Sequence, residues 1–151
     1  VLYLVGIIQV FYYFTILPDE VAFWVDLRGN TYFWMTKQSL LIFQFVILTL
    51  LVLVINLFQT LIRRNPSIIL IPKKNLWLST KRIEAETEFS RYLNLFGGLI
   101  LFFLIFYFNS ILEMNVQNNF QNVSLLKIIV VVFPLILLFI IIIFIRKFNK
   151  I

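Results

Sequence analysis

The chain alternates between long apolar blocks and shorter polar segments. The apolar blocks cover residues 1–17, 39–62, 93–112 and 125–145. A spanning helix needs about 20 apolar residues, because the hydrocarbon core is about 30 Å thick and a helix rises about 1.5 Å per residue. The pattern therefore predicts four transmembrane helices.

The composition supports a membrane environment, since 62% of the residues are hydrophobic, 13% are charged and the mean hydropathy is +0.98. Soluble domains are about half apolar and a quarter charged. We predict an all-α integral membrane protein, a four-helix transmembrane bundle forming a single domain over residues 1–151, with membrane lipids as partners. Because the chain begins at Val1 rather than Met, we expect the natural N-terminus to be missing.

The basic residues indicate the orientation. Ten of the 13 Lys and Arg residues fall on one side of the predicted spans, and an excess of Lys and Arg marks cytoplasmic loops. We therefore expect a multi-pass protein of the cell membrane, with both termini cytoplasmic. The outer loops would be residues 18–38 and 113–124, and the inner loop residues 63–92.

The inner loop has two parts. An irregular stretch with two prolines, NPSIILIPKKN, is followed by a predicted helix that Ser79 or Thr80 is able to cap. Apolar side chains at i, i+3, i+4 and i+7 then give this helix one apolar face: Phe89, Tyr92, Leu93 and Phe96. We expect a short interfacial helix that lies on the membrane and leads into the third span; the alternative is a solvated helix with an aromatic anchor.

The first outer loop holds the densest group of unusual residues. Its candidate recognition residues combine charge with an aromatic ring: Asp19, Asp26, Arg28, Trp34 and Lys37. Gly29-Asn30 predicts a tight turn between two extended or irregular arms. The tryptophans have an alternative role as the aromatic belt at the membrane interface, which we favour for Trp34 and leave open for Trp24.

Within the spans, polar residues are few. No charged residue lies at mid-membrane depth, whereas transporters and pumps usually keep such residues in their pathway. This argues against a self-sufficient pump or carrier. The remaining polar side chains are expected to form hydrogen bonds between helices; they are Gln44, Asn56, Gln59 and Asn109.

The amino-acid composition excludes most catalytic chemistry, because the chain has no Cys and no His. We expect no cofactor and no metal site. A lipid-modifying enzyme would need acidic residues clustered at the interface; of Glu84, Glu86 and Glu88, only the first and last share a helix face. We therefore expect that the protein is not an enzyme.

The basic residues lie beside apolar blocks rather than across a folded face, so we expect no nucleic-acid binding.

Two segments resemble a known family. Residues Leu17–Ala22 read LPDEVA and residues 34–37 read WMTK, with Asp26 and Gly29 between them. This is similar to the loop LP-x-x-VA-x-HF-(D/N)-x-x-G-x-x-x-x-W-(M/L)-(S/T)-K of a bacterial membrane family of unknown function, related to the immunity and signalling protein for the sporulation-delaying toxin. The His-Phe pair of that loop is replaced here by Trp24-Val25, so no role of that His carries over.

The inner loop extends the resemblance. Residues 71–78 read IPKKNLWL, similar to the N-(L/I)-P-N-x-x-Y-W-L segment that precedes a helix in the family. The segment supplies Pro72, Asn75 and Trp77 as candidates for a structural or partner contact.

Two functional hypotheses follow. In the first, the outer loop recognises a peptide or protein ligand, as an immunity or sensor protein would, and the Pro72-to-Trp77 segment signals to a cytoplasmic partner or braces the bundle. In the second, the chain is an accessory subunit of a larger membrane complex such as a transporter, and its spans pack against a membrane-protein partner. Particular side chains in the outer loop matter only in the first.

Overall fold

The computed structural model describes residues 1–121 and 123–150. The chain is mostly helical, as predicted, with one small hairpin. The elements in chain order are α1 (Leu2–Ile16), β1 (Glu20–Val25), β2 (Thr31–Thr36), α2 (Lys37–Arg64), a 3₁₀ turn (Pro66–Ile68), α3 (Lys74–Thr80), α4 (Arg82–Gln117) and α5 (Ser124–Phe148). The all-α prediction did not include this hairpin, although its two strands are the extended arms expected around Gly29-Asn30.

Three helices in the described part of the chain, α2, α4 and α5, are long and apolar enough to cross a membrane. Helix α1 is apolar but has 15 residues, which corresponds to about 22 Å at 1.5 Å per residue. The structure therefore bears out three of the four predicted spans by length and composition. Helix α1 is shorter than the three candidate spans, each of which has at least 25 residues.

The long helices run antiparallel, because each connection returns the chain to the side it left. Helix α1 packs against α2 and α4, and α5 packs chiefly against α4. One end of the bundle carries β1 and β2, and we call it the hairpin end. The other, the basic end, carries residues 63–81 and the last turn of α5.

Helix α4 corrects two of the expected boundaries at the basic end. The predicted short interfacial helix and third span form one 36-residue helix, since even Gly97-Gly98 remains helical. Ser79 and Thr80 do not cap it: both hydroxyls donate to the carbonyl oxygen of Leu76, at 3.0 and 2.7 Å, and so belong to the end of α3.

The apolar face at the start of α4 is also placed differently from the expectation of a membrane-surface stripe. Phe89, Tyr92 and Leu93 pack into a cluster with α3 and the end of α5. The Tyr92 and Phe144 rings meet edge to face with their centroids 5.1 Å apart. The physical reason is that α5 offers an aromatic partner on this side, which the linear pattern does not reveal.

At the hairpin end, α4 continues beyond the predicted limit of residue 112 to Gln117. It ends at Asn118, which adopts the left-handed conformation with φ 49°, a conformation that asparagine tolerates better than most residues. The connection between α4 and α5 is therefore shorter than the predicted outer loop 113–124. Asn122 lies outside the described residues.

Polar side chains connect three helices in the half of the bundle nearer the hairpin. Gln44 donates to Gln9 at 2.8 Å, and Gln9 donates to the Ile105 carbonyl at 3.2 Å and to Asn109 at 3.1 Å. Asn109 also accepts from the Tyr13 hydroxyl at 3.1 Å. Such bonds fix helix register in a membrane, where water does not compete, and they confirm the roles predicted for Gln44 and Asn109.

Of the other two predicted interhelical contacts, the one at Gln59 is formed and the one at Asn56 is not. Gln59 of α2 donates to Asn94 of α4, which confirms an interhelical bond. Asn56 instead donates to the Val52 carbonyl one turn earlier in its own helix, at 2.8 Å. The prediction for Asn56 was therefore wrong, because a short amide reaches its own i−4 carbonyl when no partner helix faces it.

Candidate functional site

The hairpin is the most distinctive feature of the fold. Strands β1 and β2 pair antiparallel, with Glu20 opposite Thr36 and Val25 opposite Thr31. Two register shifts, around Trp24, place one extra residue in each strand. Bulges of this kind increase the local twist and redirect side chains, so the two strands do not expose their side chains in simple alternation.

The hairpin is packed onto the helices through β1. Val21 and Ala22 are fully buried and Val25 is nearly so. Val21 belongs to a cluster with residues of α1, α2 and α4, whereas Ala22 and Val25 belong to a second cluster with residues of α4 and α5. Strand β1 therefore covers the hairpin end of the bundle and contacts its helices directly.

A single buried amide attaches β1 to α4. The Ala22 backbone N–H donates to Asn115 Oδ1 at 2.6 Å, and Asn115 Nδ2 donates to the Ala22 carbonyl at 2.9 Å. The same Nδ2 reaches the Ile111 carbonyl at 2.9 Å. Asn115 thus pairs with β1 much as a third strand would, and satisfies a buried peptide group that would otherwise be costly.

The base of the hairpin is closed by Lys37, the first residue of α2. Its ammonium lies 3.0 Å from Asp19 Oδ1 and donates to the Leu17 carbonyl at 3.4 Å. Its backbone N–H donates to the Asp19 carbonyl at 2.9 Å. Thr36 caps α2 by accepting from the Ser39 N–H at 3.3 Å, so the two ends of the hairpin are held together where they enter the helices.

The tip of the hairpin is organised by Asp26. Its carboxylate accepts from the backbone N–H groups of Arg28 and Asn30, at 2.7 and 2.9 Å. It also accepts from the Asn30 side-chain amide at 2.9 Å and from the Tyr32 hydroxyl at 3.2 Å. The bonds from the Asn30 side chain and backbone, followed by those from Arg28 and Tyr32, lower the pKa of Asp26 from 3.8 to about 2.

Gly29 fixes where the tip lies. Its φ of +89° suits glycine, and a Cβ there would collide with the Phe120 carbonyl oxygen. The tip therefore packs closely against the loop between α4 and α5. The Trp34 and Phe120 rings, 5.8 Å apart and edge to face, make a second contact to this loop.

Four large aromatic side chains of the hairpin are exposed, and we call them together the aromatic surface: Trp24, Tyr32, Phe33 and Trp34. Their exposed fractions range from 49% at Trp34 to 66% at Tyr32. Arg28 is exposed at the tip beside them. The hairpin backbone beneath them is held at its base, middle and tip by the contacts described above, so these exposed side chains stand on a well-packed backbone.

The five predicted recognition residues therefore differ in their surroundings. Asp19 and Lys37 pair with each other, and Asp26 is used within the turn. Arg28 and Trp34 are exposed. The set of predicted recognition residues left out Trp24, Tyr32 and Phe33, although all three belong to the same predicted loop and are exposed. It also missed Asn115, which nothing in the local sequence distinguishes.

At the basic end, the predicted segment Pro72 to Trp77 is in contact with α5. The Trp77 side chain is 3% exposed, and its Nε1 donates to the Phe148 carbonyl at 2.8 Å. This bond satisfies one of the last carbonyls of α5, which have no partner within the helix. Pro72 is half-buried at the start of the segment, while Asn75 is exposed on α3.

The glutamates at the start of α4 are paired with basic residues. Glu86 accepts from Arg82 at 2.8 Å, Glu84 lies 3.7 Å from Lys81, and Glu88 lies 3.8 Å from Lys147 of α5. Within residues 1–121 and 123–150, no group of three or more acidic residues is arranged to hold a metal ion. The arrangement is that of an ion-paired helix surface.

Comparisons with known proteins give no match: no family model fits the chain, and neither a curated protein nor a solved structure is significantly similar to it. The resemblance of the two loop segments stays a prediction based on their residues.

Proposed function

We propose that the chain is a four-helix membrane bundle of the cell membrane, with the hairpin outside and both termini in the cytoplasm. Helix α1 would be the fourth membrane helix, since its surface away from α2 and α4 is apolar and exposed. The charge distribution supports the orientation, because ten of the 13 cationic side chains lie at the basic end.

The orientation is tested by labelling single cysteines, which is straightforward because the chain has none. Arg28→Cys places a thiol at the exposed hairpin tip, and Ser79→Cys places one at the exposed end of α3. A membrane-impermeant maleimide should label only Arg28→Cys in intact cells and both variants after permeabilisation. Labelling of Ser79→Cys alone in intact cells would reverse the proposed orientation.

We further propose that the protein is not an enzyme and that its hairpin recognises a peptide or protein outside the cell, as an immunity or sensor protein does. The observation that carries this is the aromatic surface on a fixed backbone. Tryptophan and tyrosine offer large contact areas at a low cost in conformational entropy, which is why they dominate binding hot spots.

Within this proposal the polar residues have two different roles. Arg28 and Trp34 would contact the ligand, with Trp24 and Tyr32 beside them. Asp19, Asp26 and Lys37 would hold the hairpin in shape. A ligand would then lose affinity strongly when an exposed ring is removed, and would respond to the paired residues only through the shape of the hairpin.

Photo-crosslinking in the native membrane tests recognition. Benzoylphenylalanine replaces Trp24 in one protein and Leu135 of α5, 62% exposed, in a matched control. A peptide or secreted protein crosslinked only at position 24, and lost when Arg28→Glu is added, is the expected result. Lipid adducts alone at position 24 would mean that the ring is an interfacial anchor and would overturn the proposal.

One observation favours a second function, that of an accessory subunit in a larger membrane complex. In the most hydrophobic stretch of α5, none of the residues is buried, so this helix leaves a long apolar side uncovered. A partner helix would cover it as readily as lipid. In the crosslinking experiment, a membrane protein captured at position 135 supports this function, and its absence together with a ligand at position 24 supports the first.

A further inference from the structure

A groove lies at the basic end between the first turns of α4 and the last turns of α5. It consists of two adjoining cavities of about 660 and 390 Å³, which share Tyr92, Ile143 and Lys147 in their walls. The groove is far from the hairpin and uses none of its residues. We refer to it as the α4–α5 groove.

The upper part of the α4–α5 groove is strongly positive. Four cationic side chains line it, namely Arg91, Arg146, Lys147 and Lys150, against one carboxylate, Glu88. The net charge of these five is +3, from four positive and one negative. Lys147 lies 3.8 Å from Glu88; within the described residues, Arg91, Arg146 and Lys150 have no carboxylate partner.

The lower part of the groove is apolar. Leu95, Ile140 and Ile143 line the smaller cavity below the basic residues. All three lie toward the membrane side of Arg91 and Arg146, since α4 and α5 continue from here into their hydrophobic stretches. A cationic rim above an apolar channel matches the two halves of a phospholipid, a phosphate headgroup and an acyl chain.

We propose that the α4–α5 groove binds an anionic phospholipid of the cytoplasmic leaflet. Arg146 and Lys150 contact the phosphate, Arg91 contacts it from the α4 side, and one acyl chain lies along Leu95, Ile140 and Ile143. Basic pockets between membrane helices on the cytoplasmic side are suited to such headgroups. The proposal requires membrane insertion with the basic end inside, and is independent of whether the hairpin binds a ligand.

The test is native mass spectrometry of the full chain in mild detergent, titrated with dioleoylphosphatidylglycerol or dioleoylphosphatidylcholine. We expect one phosphatidylglycerol to bind at least about tenfold more tightly than phosphatidylcholine, since each cation near a headgroup contributes about a fivefold factor. Arg146→Gln/Lys150→Gln should weaken phosphatidylglycerol binding roughly 20-fold on the same basis. Circular dichroism checks that the variant keeps its helices.

The matched control is Arg63→Gln/Arg64→Gln, which also removes two cations from the end of a spanning helix, outside the α4–α5 groove. It should change the affinity less than about threefold, because distant charges are screened by salt. Equal losses of affinity in the two double variants would overturn the proposal, since phosphatidylglycerol binding would then depend only on the total charge of the protein. Equal binding of the two lipids would overturn it as well.

A second pair of variants separates a lipid from a soluble phosphate. Ile143→Trp fills the apolar part of the groove, whereas Ile142→Trp, at a residue of nearly the same exposure (40% and 41%), points elsewhere on α5. We expect Ile143→Trp alone to weaken phosphatidylglycerol binding, on the order of tenfold, a typical cost of overpacking. If inorganic phosphate displaces the lipid and Ile143→Trp has no effect, the site binds a soluble anion and the lipid proposal is wrong.

Discussion

The two ends of the bundle are held by the same kind of contact, a buried side chain that bonds to the backbone of a distant segment, but they differ in the exposure of their aromatic rings. At the hairpin end, Asn115 holds β1 through the peptide group of Ala22; at the basic end, Trp77 holds the last turn of α5 through the Phe148 carbonyl. In both places one buried side chain satisfies backbone groups of a distant segment. The ends differ in where their aromatic rings lie.

At the basic end the rings face inward. Trp77 and Phe148 are 3% and 0% exposed, whereas Trp24 and Tyr32 at the hairpin end are 59% and 66% exposed. Burial stabilises a fold, and exposure of rings on a fixed backbone serves contact with something else. The comparison teaches that aromatic rings stabilise the basic end from within, whereas on the hairpin they are exposed, where the proposed recognition would use them.

The largest expected effect comes from Trp77→Ala. We expect it to lower the free energy of unfolding by about 3 to 5 kcal/mol, because it removes a buried ring and leaves the Phe148 carbonyl without its donor. Unfolding by SDS in mixed micelles, followed by circular dichroism, measures this. Trp24→Ala is the control and should cost less than about 0.5 kcal/mol; a similar loss in both variants would erase the contrast between the ends.

Next in size is Asn115→Leu, which keeps a side chain of similar branched shape but removes the amide. We expect a loss of roughly 2 to 4 kcal/mol, since the buried N–H and C=O of Ala22 lose their partners. Tryptic cleavage after Arg28 in proteoliposomes should become faster as the hairpin detaches. Asn119→Leu, at an exposed position just after the end of α4, should leave both quantities unchanged, and unchanged cleavage in Asn115→Leu would show that the amide does not hold the hairpin.

A pair of glycine substitutions should change stability in opposite directions. Gly29→Ala is expected to destabilise by about 1 to 2 kcal/mol, because an L-residue is strained at positive φ and the new Cβ meets the Phe120 carbonyl. Gly98→Ala has no heavy atom within 4 Å of its Cβ and should stabilise α4 by about 0.5 to 1 kcal/mol. Thermal unfolding in detergent compares the two, and a gain from Gly29→Ala would mean that the tip is not packed as described.

The smallest effect is the pH response of the hairpin tip. The pKa of Asp26 is lowered to about 2 in the fold, so its contribution is present above about 3.8 and is lost as the pH falls toward 2. Tryptophan fluorescence of the hairpin, read in Trp77→Phe to remove the buried indole, should therefore change between pH 4 and pH 2. Asp26→Asn should show no such transition; a transition that persists would assign it to another carboxylate.

Part of this organisation was predictable from local pattern. Uninterrupted apolar blocks predicted α2, α4 and α5, and Gly29-Asn30 predicted the turn, because helix periodicity and positive φ are properties of a few adjacent residues. The pairing of Asp19 with Lys37 was not predictable, although both residues were identified. Two charges separated by a hairpin meet only if the strands are in the right register, and that register includes two bulges.

The sequence by itself determined where the long apolar helices lie and how the cationic residues divide between the two ends, because both depend on composition along the chain. Only the tertiary structure decided that Asn115 reaches Ala22, that Trp77 reaches Phe148 and that Arg91 and Arg146 share a groove. The physical reason is that the residues in each of these pairs are far apart in the chain, the shortest separation being the 55 positions between Arg91 and Arg146. The packing of the helices brings such residues together, and the secondary-structure propensities of neighbouring residues carry no information about that packing.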